Sequence, residues 1–441
     1  MTERGGLGVR RLPVVVPAIL GLVTASCGLA SHLLEPPRAL GRAGLVDLGR
    51  DWFIAHSTPA PRAPDADMNA VAAGHRQFAC SLYHELAQGD GNLVFSPFSV
   101  SSAMAMAYAG ARGRTAEELA EVLHFDLPSE RLHAALGRLR LRLEGRARPG
   151  ERAPRLRIAN GLWGQRGVGC LESFRRTLEA HYGAPLRELD LVGDPAGSRR
   201  AINRAIEEAT EGRITGLVPD GAIEGAPLVV TDAAYFRAYW HHQFRESLTH
   251  YQPFYRLNGD SVAVQMMHQT RAFPYVRGEG YQALSLPYYG REQAMVVVLP
   301  DTGSFAAVEA AVGSGHIGAM IEGLEDRNAN VGLPKFRFSR GADLVPAFRA
   351  LGAPHAFAGG ADFSGVSGQL GLYIGAVRHM ATIAVNERWT EAAAGTVVEW
   401  MREMGPGKPV DFVADRPFLF LIVDKPTGAI LFMGRVMDPT A

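Results

Sequence analysis

Residues Asn92–Leu123 read NLVFSPFSVSSAMAMAYAGARGRTAEELAEVL, a stretch in which a helix-start signal precedes an amphipathic run. Thr115 and Glu118 have capping-box spacing ahead of Leu119, Val122 and Leu123. Upstream, Val71, Phe78, Leu82 and Leu86 share one face at helical spacing. Downstream, Ile202, Ala205, Ile206 and Ala209 line another helix, which Gly212 is expected to end. Strands read at Leu228–Phe236, Ala294–Leu299, Ala376–Val385, Phe418–Val423 and Ile430–Val436. The last two flank Asp424-Lys425-Pro426-Thr427-Gly428, a hairpin turn. Strands spaced this way, without a βαβ rhythm, predict an α+β fold with mainly antiparallel sheets.

Of the 441 residues, 47% are hydrophobic and 20% charged, a globular composition. Lysines and arginines (45) equal aspartates and glutamates (45), so the basic excess that displaces counterions from nucleic acid is missing. No nucleic-acid partner is expected. Abundant glycine, alanine and arginine point to a GC-rich, bacterial type of coding sequence. Three cysteines, Cys27, Cys80 and Cys170, give neither a disulfide framework nor metal-ligand spacing. Cys80 and Cys170 are expected to pack as small apolar residues. Gly365-Val366-Ser367-Gly368 is one spacer short of a nucleophile elbow. His241, His242, His250 and His268 lack the spacing of a metal motif. The reading is therefore of a protein with no catalytic residues, no metal and no cofactor.

Residues 1–26 read as an export signal, with Arg4, Arg10 and Arg11 ahead of the apolar stretch Leu12–Ala25. That stretch is short of the ~20 residues a membrane span takes, and Pro13 and Pro17 interrupt it. Thr24-Ala25-Ser26-Cys27 resembles a bacterial lipoprotein processing site, with Thr24 where leucine is usual. Cys27 is thus a candidate for lipidation, against ordinary cleavage nearby. The mature chain is expected outside the cytoplasm, secreted, periplasmic or anchored as a lipoprotein. Residues 27–66, with Pro36, Pro37, Pro59, Pro61 and Pro64, read as a tether. Residues 67–441 then form one domain of about 375 residues, expected to be monomeric.

The opening stretch resembles the second-helix region of the serpins, the serine protease inhibitor family, and the likeness continues in order along the chain. ANGLW (Ala159–Trp163) is similar to the family's ANxLF, and INRAIEEATEGRI (Ile202–Ile214) to its INxWVxxxTxGKI. DAAYFRAYW (Asp232–Trp240) resembles NAIYFKGxW. LPKFRF (Leu333–Phe338), ADFSG (Ala361–Gly365) and RPFLFLIVDKPTGAILFMGRV (Arg416–Val436) complete the series. The resemblance implies three mainly antiparallel sheets, eight to nine α-helices and an exposed reactive-centre loop. It also implies a suicide substrate of a serine or cysteine protease, whose cleaved loop inserts into the central sheet.

That loop would follow the strand Ala376–Val385. Alternation sets Thr390, Ala392, Ala394, Thr396 and Val398 on one side of an extended chain, all small or β-branched and none charged. Such a side can enter a sheet without burying a charge. Glu391 and Gly395 fall on the other side, and Ala393 lies between. An alanine-rich strand-to-loop junction is the plain alternative reading. By the family's count from the hinge glutamate, Glu387, the scissile bond is Glu403–Met404, with Arg402–Glu403 as the rival.

Two departures stand out. Trp389 occupies the place where inhibitory members carry glycine, directly before Thr390, and a bulky side chain there can slow insertion. A non-inhibitory binder or substrate is the competing reading. By resemblance, Ser96, Ser99, Asp232 and His379 bond across the central strands, and Trp240 marks the top of the main sheet, where it is also a core residue. The family has asparagine in place of Asp232. An aspartate beside His379 favours the charged imidazole and would make sheet opening depend on pH near neutrality. A satisfied buried pair without a switching role is the alternative.

Overall fold

The computed structural model describes residues 62–145, 154–388 and 408–441. Ten α-helices occur among them: α1 Asp65–Leu86, α2 Pro97–Tyr108, α3 Gly113–Leu123, α4 Ser129–Glu144, α5 Glu172–Tyr182, α6 Pro195–Ala209, α7 Phe305–Ala311, α8 Ile317–Glu322, α9 Val345–Leu351 and the single turn α10 Ser364–Ser367. The strands are β1 Leu93–Phe95, β2 Arg155–Gln165, β3 Leu186–Leu189, β4 Leu228–Arg237, β5 His250–Tyr255, β6 Ser261–Gly278 and β7 Tyr281–Pro287. They continue with β8 Gln293–Pro300, β9 Glu325–Pro334, β10 Phe336–Asp343, β11 Ile374–Val385, β12 Val410–Val413, β13 Phe418–Asp424 and β14 Ala429–Val436.

A five-stranded sheet runs in the order β10-β11-β4-β2-β3. The other strands run β1-β14-β13-β8-β7-β6-β9-β12, with β5 on the side of β6. Two of the three expected sheets are joined here, because the 18-residue β6 passes from one to the other. Its first part pairs with β5, its middle with β9 and its end with β7. Pairing is antiparallel except for β4–β11, β2–β3 and β9–β12.

β4 explains the layering. Its sequence LVVTDAAYFR is buried along nearly its whole length, as a strand covered on both faces must be. Leu228, Val230 and Ala234 enter the main core, whereas Val229, Ala233 and Tyr235 enter a second cluster with Ile202 and Ile206 of α6. The sheet therefore lies between two apolar layers.

Several expectations need correction. α1 starts at Asp65, and the Ala63 carbonyl is bonded by Arg138 of α4, so the last residues of the supposed tether belong to the fold. Thr115 and Glu118 form no capping box. α3 starts three residues earlier than that signal requires, with Arg112 rather than Thr115 at its N-cap. The Thr115 hydroxyl instead accepts the Asp362 N–H, and Glu118 accepts the His355 N–H at 3.1 Å. Cys80 is buried, but Cys170 is exposed, in a turn where Gly167 and Gly169 take positive φ. The helix count is ten among the described residues rather than eight or nine. Gly212 does close α6, with φ +72° and its N–H on the Glu207 carbonyl.

Two buried histidines make the fold acid-sensitive. His75 of α1 donates from Nε2 to the Ile430 carbonyl at 3.0 Å, and His133 Nδ1 lies 2.6 Å from the Tyr182 hydroxyl. Burial pushes both down to about 4. The unfolded chain then binds more protons between the ordinary value near 6.5 and pH 4, so stability falls as pH falls through that window. The loss is about 3 kcal/mol per histidine by pH 4. Thermal midpoints of wild type and His75→Gln should converge on acidification; parallel curves would exonerate His75.

Candidate functional site

The register of the five-stranded sheet sets Asn160, Asp232 and His379 in one row, Asn160 opposite Asp232 and Asp232 opposite His379. α2 backs this row. Its N-cap Ser96 accepts the Ser99 N–H at 3.3 Å and donates its hydroxyl to the Leu431 carbonyl at 2.7 Å. The Ser99 hydroxyl donates to the Asp232 carboxylate, and the Asn160 amide donates to the Ser99 carbonyl at 3.2 Å. Ser96, Ser99, Asp232 and His379, singled out from the sequence, are thus brought together, and all four are buried.

His379 is held at both nitrogens. Nδ1 lies 2.7 Å from Asp232 Oδ2, and the Ser96 N–H donates to Nε2 at 3.3 Å. In this geometry Nε2 is the acceptor and Nδ1 faces the Asp232 carboxylate as donor. Both side chains of the pair are buried and hydrogen-bonded; the pH dependence of sheet opening expected beside them is read from loop-insertion rates between about pH 5 and 8. Opening the sheet here breaks the Asp232–His379 bond in a dry interior, where unpaired polar groups are costly.

Pairing of β4 with β11 runs from Leu228–Ile374 to Tyr235–Thr382 and stops there. Beyond it lies a cleft of about 290 Å³ that includes open solvent, bordered by Phe236, Trp240, Tyr288, Ile383 and Asn386. Trp240 stacks on Tyr288 at 4.7 Å between ring centroids and donates its indole N–H to the Asn386 carbonyl at 2.8 Å. Its core role and its position at the end of the sheet are both visible.

The three residues after β11 are tied down. The Glu387 carbonyl accepts the Phe244 N–H at 3.0 Å, its carboxylate lies 3.2 Å from Lys335 Nζ, and Arg388 pairs with Glu246 at 2.9 Å. Burial pushes the Glu387 carboxyl up, but its own backbone N–H and the Lys335 ammonium outweigh that and hold it below the ordinary glutamate value. Trp389, Thr390, Glu391, Ala392, Ala393, Ala394, Gly395, Thr396, Arg402, Glu403, Met404 and Cys27 lie outside the described residues.

Sequence reading missed Asn160, Tyr288 and Lys335. Asn160 and Lys335 sit inside the quoted ANGLW and LPKFRF segments, but only the fold shows that Asn160 lies opposite Asp232 in the sheet and that Lys335 pairs with Glu387. Tyr288 carried no such signal.

A family model described as serpin (serine protease inhibitor) matches residues 73–439. The chain belongs to the serpin family. An uncharacterized serpin-like protein of Thermococcus kodakarensis is 41% identical over 433 residues, 98% of this serpin and 99% of that protein. The leukocyte elastase inhibitor of Sus scrofa is 33% identical over 385 residues, 84% of this chain and 100% of that one. Among solved structures, human thyroxine-binding globulin superposes with a TM-score of 0.76 at 28% identity, covering 85% of this serpin and all of that chain. The fold is the serpin fold, and its relatives include protease inhibitors.

Proposed function

We propose that this serpin inhibits a serine-type endopeptidase as a suicide substrate. The observation that carries the reading is the parallel β4–β11 pair at the centre of a sheet whose other long strands are antiparallel neighbours. A chain that leaves the end of β11 and turns back runs antiparallel to β11, and hence also to β4. Inserted between them, it replaces one parallel ladder with two antiparallel ones, which are the better paired. The residues that would enter, Thr390 to Val398, present small or β-branched side chains on alternate positions.

In this scheme the protease's serine attacks the carbonyl of Glu403, or of Arg402 in the rival register, and the amine of the next residue leaves. The acyl-enzyme stays attached to the inserting strand and is carried off before water attacks the ester. Glu387 and Arg388 serve as the anchored base from which the strand swings. An export signal over residues 1–26 would put the target protease outside the cytoplasm, with Cys27 as a candidate lipid attachment.

The test is incubation with glutamyl-specific, trypsin-like and subtilisin-like proteases, followed by boiling in detergent. A covalent complex with one of them is the expected result. Clean cleavage without any complex would contradict inhibition and favour a binding or substrate role, with Trp389 as the impediment.

A further inference from the structure

The connector between α6 and β4 covers the β4–β11 seam on the face opposite Asp232 and His379. Ile223 and Ala226 share an apolar cluster with Val229 and Ala233 of β4 and with Ala376 of β11. The connector is fixed to α6, because the Asn203 amide donates to the Val218 carbonyl at 2.9 Å and accepts its N–H at 2.8 Å. It also touches β11 and its lead-in at three successive places. The Tyr373 hydroxyl donates to the Gly225 carbonyl at 3.0 Å. Gly375 lies so near Ala226 that an added Cβ would stand 2.4 Å from the Ala226 Cβ. Arg378 Nη2 donates to the Ala222 carbonyl at 3.2 Å and lies 3.3 Å from Asp343 of β10.

Opening the seam separates β11 with β10 from β4 with the connector and α6. A strand advancing from the Thr382 end meets the Arg378 contact before those of Gly375 and Tyr373. We propose that Arg378 is a positioning residue that sets how fast this sheet opens. Its guanidinium ties the β10–β11 half to the half that carries α6, and the tie must break before a strand can pass. This inference rests on the loop-insertion reading. Arg378 is also the one charged donor of the three contacts, so its bond is the strongest of them.

The test uses Arg378→Met, which keeps the apolar stem and removes the donors. Two rates are read on the full, uncleaved protein: hydrogen exchange of the seam amides Ala376–Thr382, and uptake of a synthetic peptide with the sequence of residues 390–403. Both should rise about tenfold in Arg378→Met. Tyr373→Phe, which removes only a hydroxyl, should raise them about twofold and replaces the first variant if that fails to fold. Rates equal to wild type overturn the proposal. Faster exchange with no peptide uptake by either protein upholds the tie and overturns the insertion reading instead.

Discussion

Nicking this serpin within the segment after β11, at Glu403–Met404 or Arg402–Glu403, should raise its thermal midpoint by roughly 20–40 °C. An inserted strand of about 14 residues forms ladder bonds on both sides, worth on the order of 10–20 kcal/mol at a net ~1 kcal/mol each. For a domain of this size, 1 kcal/mol corresponds to about 2 °C. Such a gain would match or exceed the ~5–15 kcal/mol net stability of ordinary domains, and the uncleaved form would then be a kinetic trap. A calorimetric scan before and after limited proteolysis reads the difference. An unchanged midpoint would mean that the cut chain stays out of the sheet.

Ala394→Arg should abolish covalent trapping while leaving cleavage intact. Ala394 belongs to the alternating set Thr390, Ala392, Thr396 and Val398. On the side backed by α2, β4 presents Val230 and Ala234 to the main core. If the alternating set enters that layer, a guanidinium carried in without a partner costs several kcal/mol. Insertion slowed by that amount loses the race against deacylation, and the complex should fall at least a hundredfold in favour of the cleaved product. Glu391→Gln, on the opposite side of the strand, should still trap. Equal complex yields from Ala394→Arg and wild type would contradict the burial of that side.

Much of the architecture was legible because it is written in local pattern. The strand after residue 228, the strand ending at Val385 and the Asp424–Gly428 hairpin emerge where alternation and turn residues put them. The meeting of Ser96, Ser99, Asp232 and His379 followed from the family likeness, but the tautomer of His379 did not. It depends on a backbone N–H contributed by the start of α2, which no side-chain pattern encodes. Cys170 and Thr115 were misjudged for a related reason. A small residue or a capping signal has the same local appearance whether its neighbour is core, solvent or another loop. The Tyr373 and Arg378 contacts join β11 to a connector about 150 positions earlier in the chain, and only the fold reveals them.

Solving the nicked molecule by crystallography is the most direct examination of strand insertion. Residues 390–398 should then lie between β4 and β11, hydrogen-bonded to each, with Asp232 and His379 parted. Finding Leu228 still opposite Ile374 and Tyr235 still opposite Thr382, as in the intact chain, would contradict it.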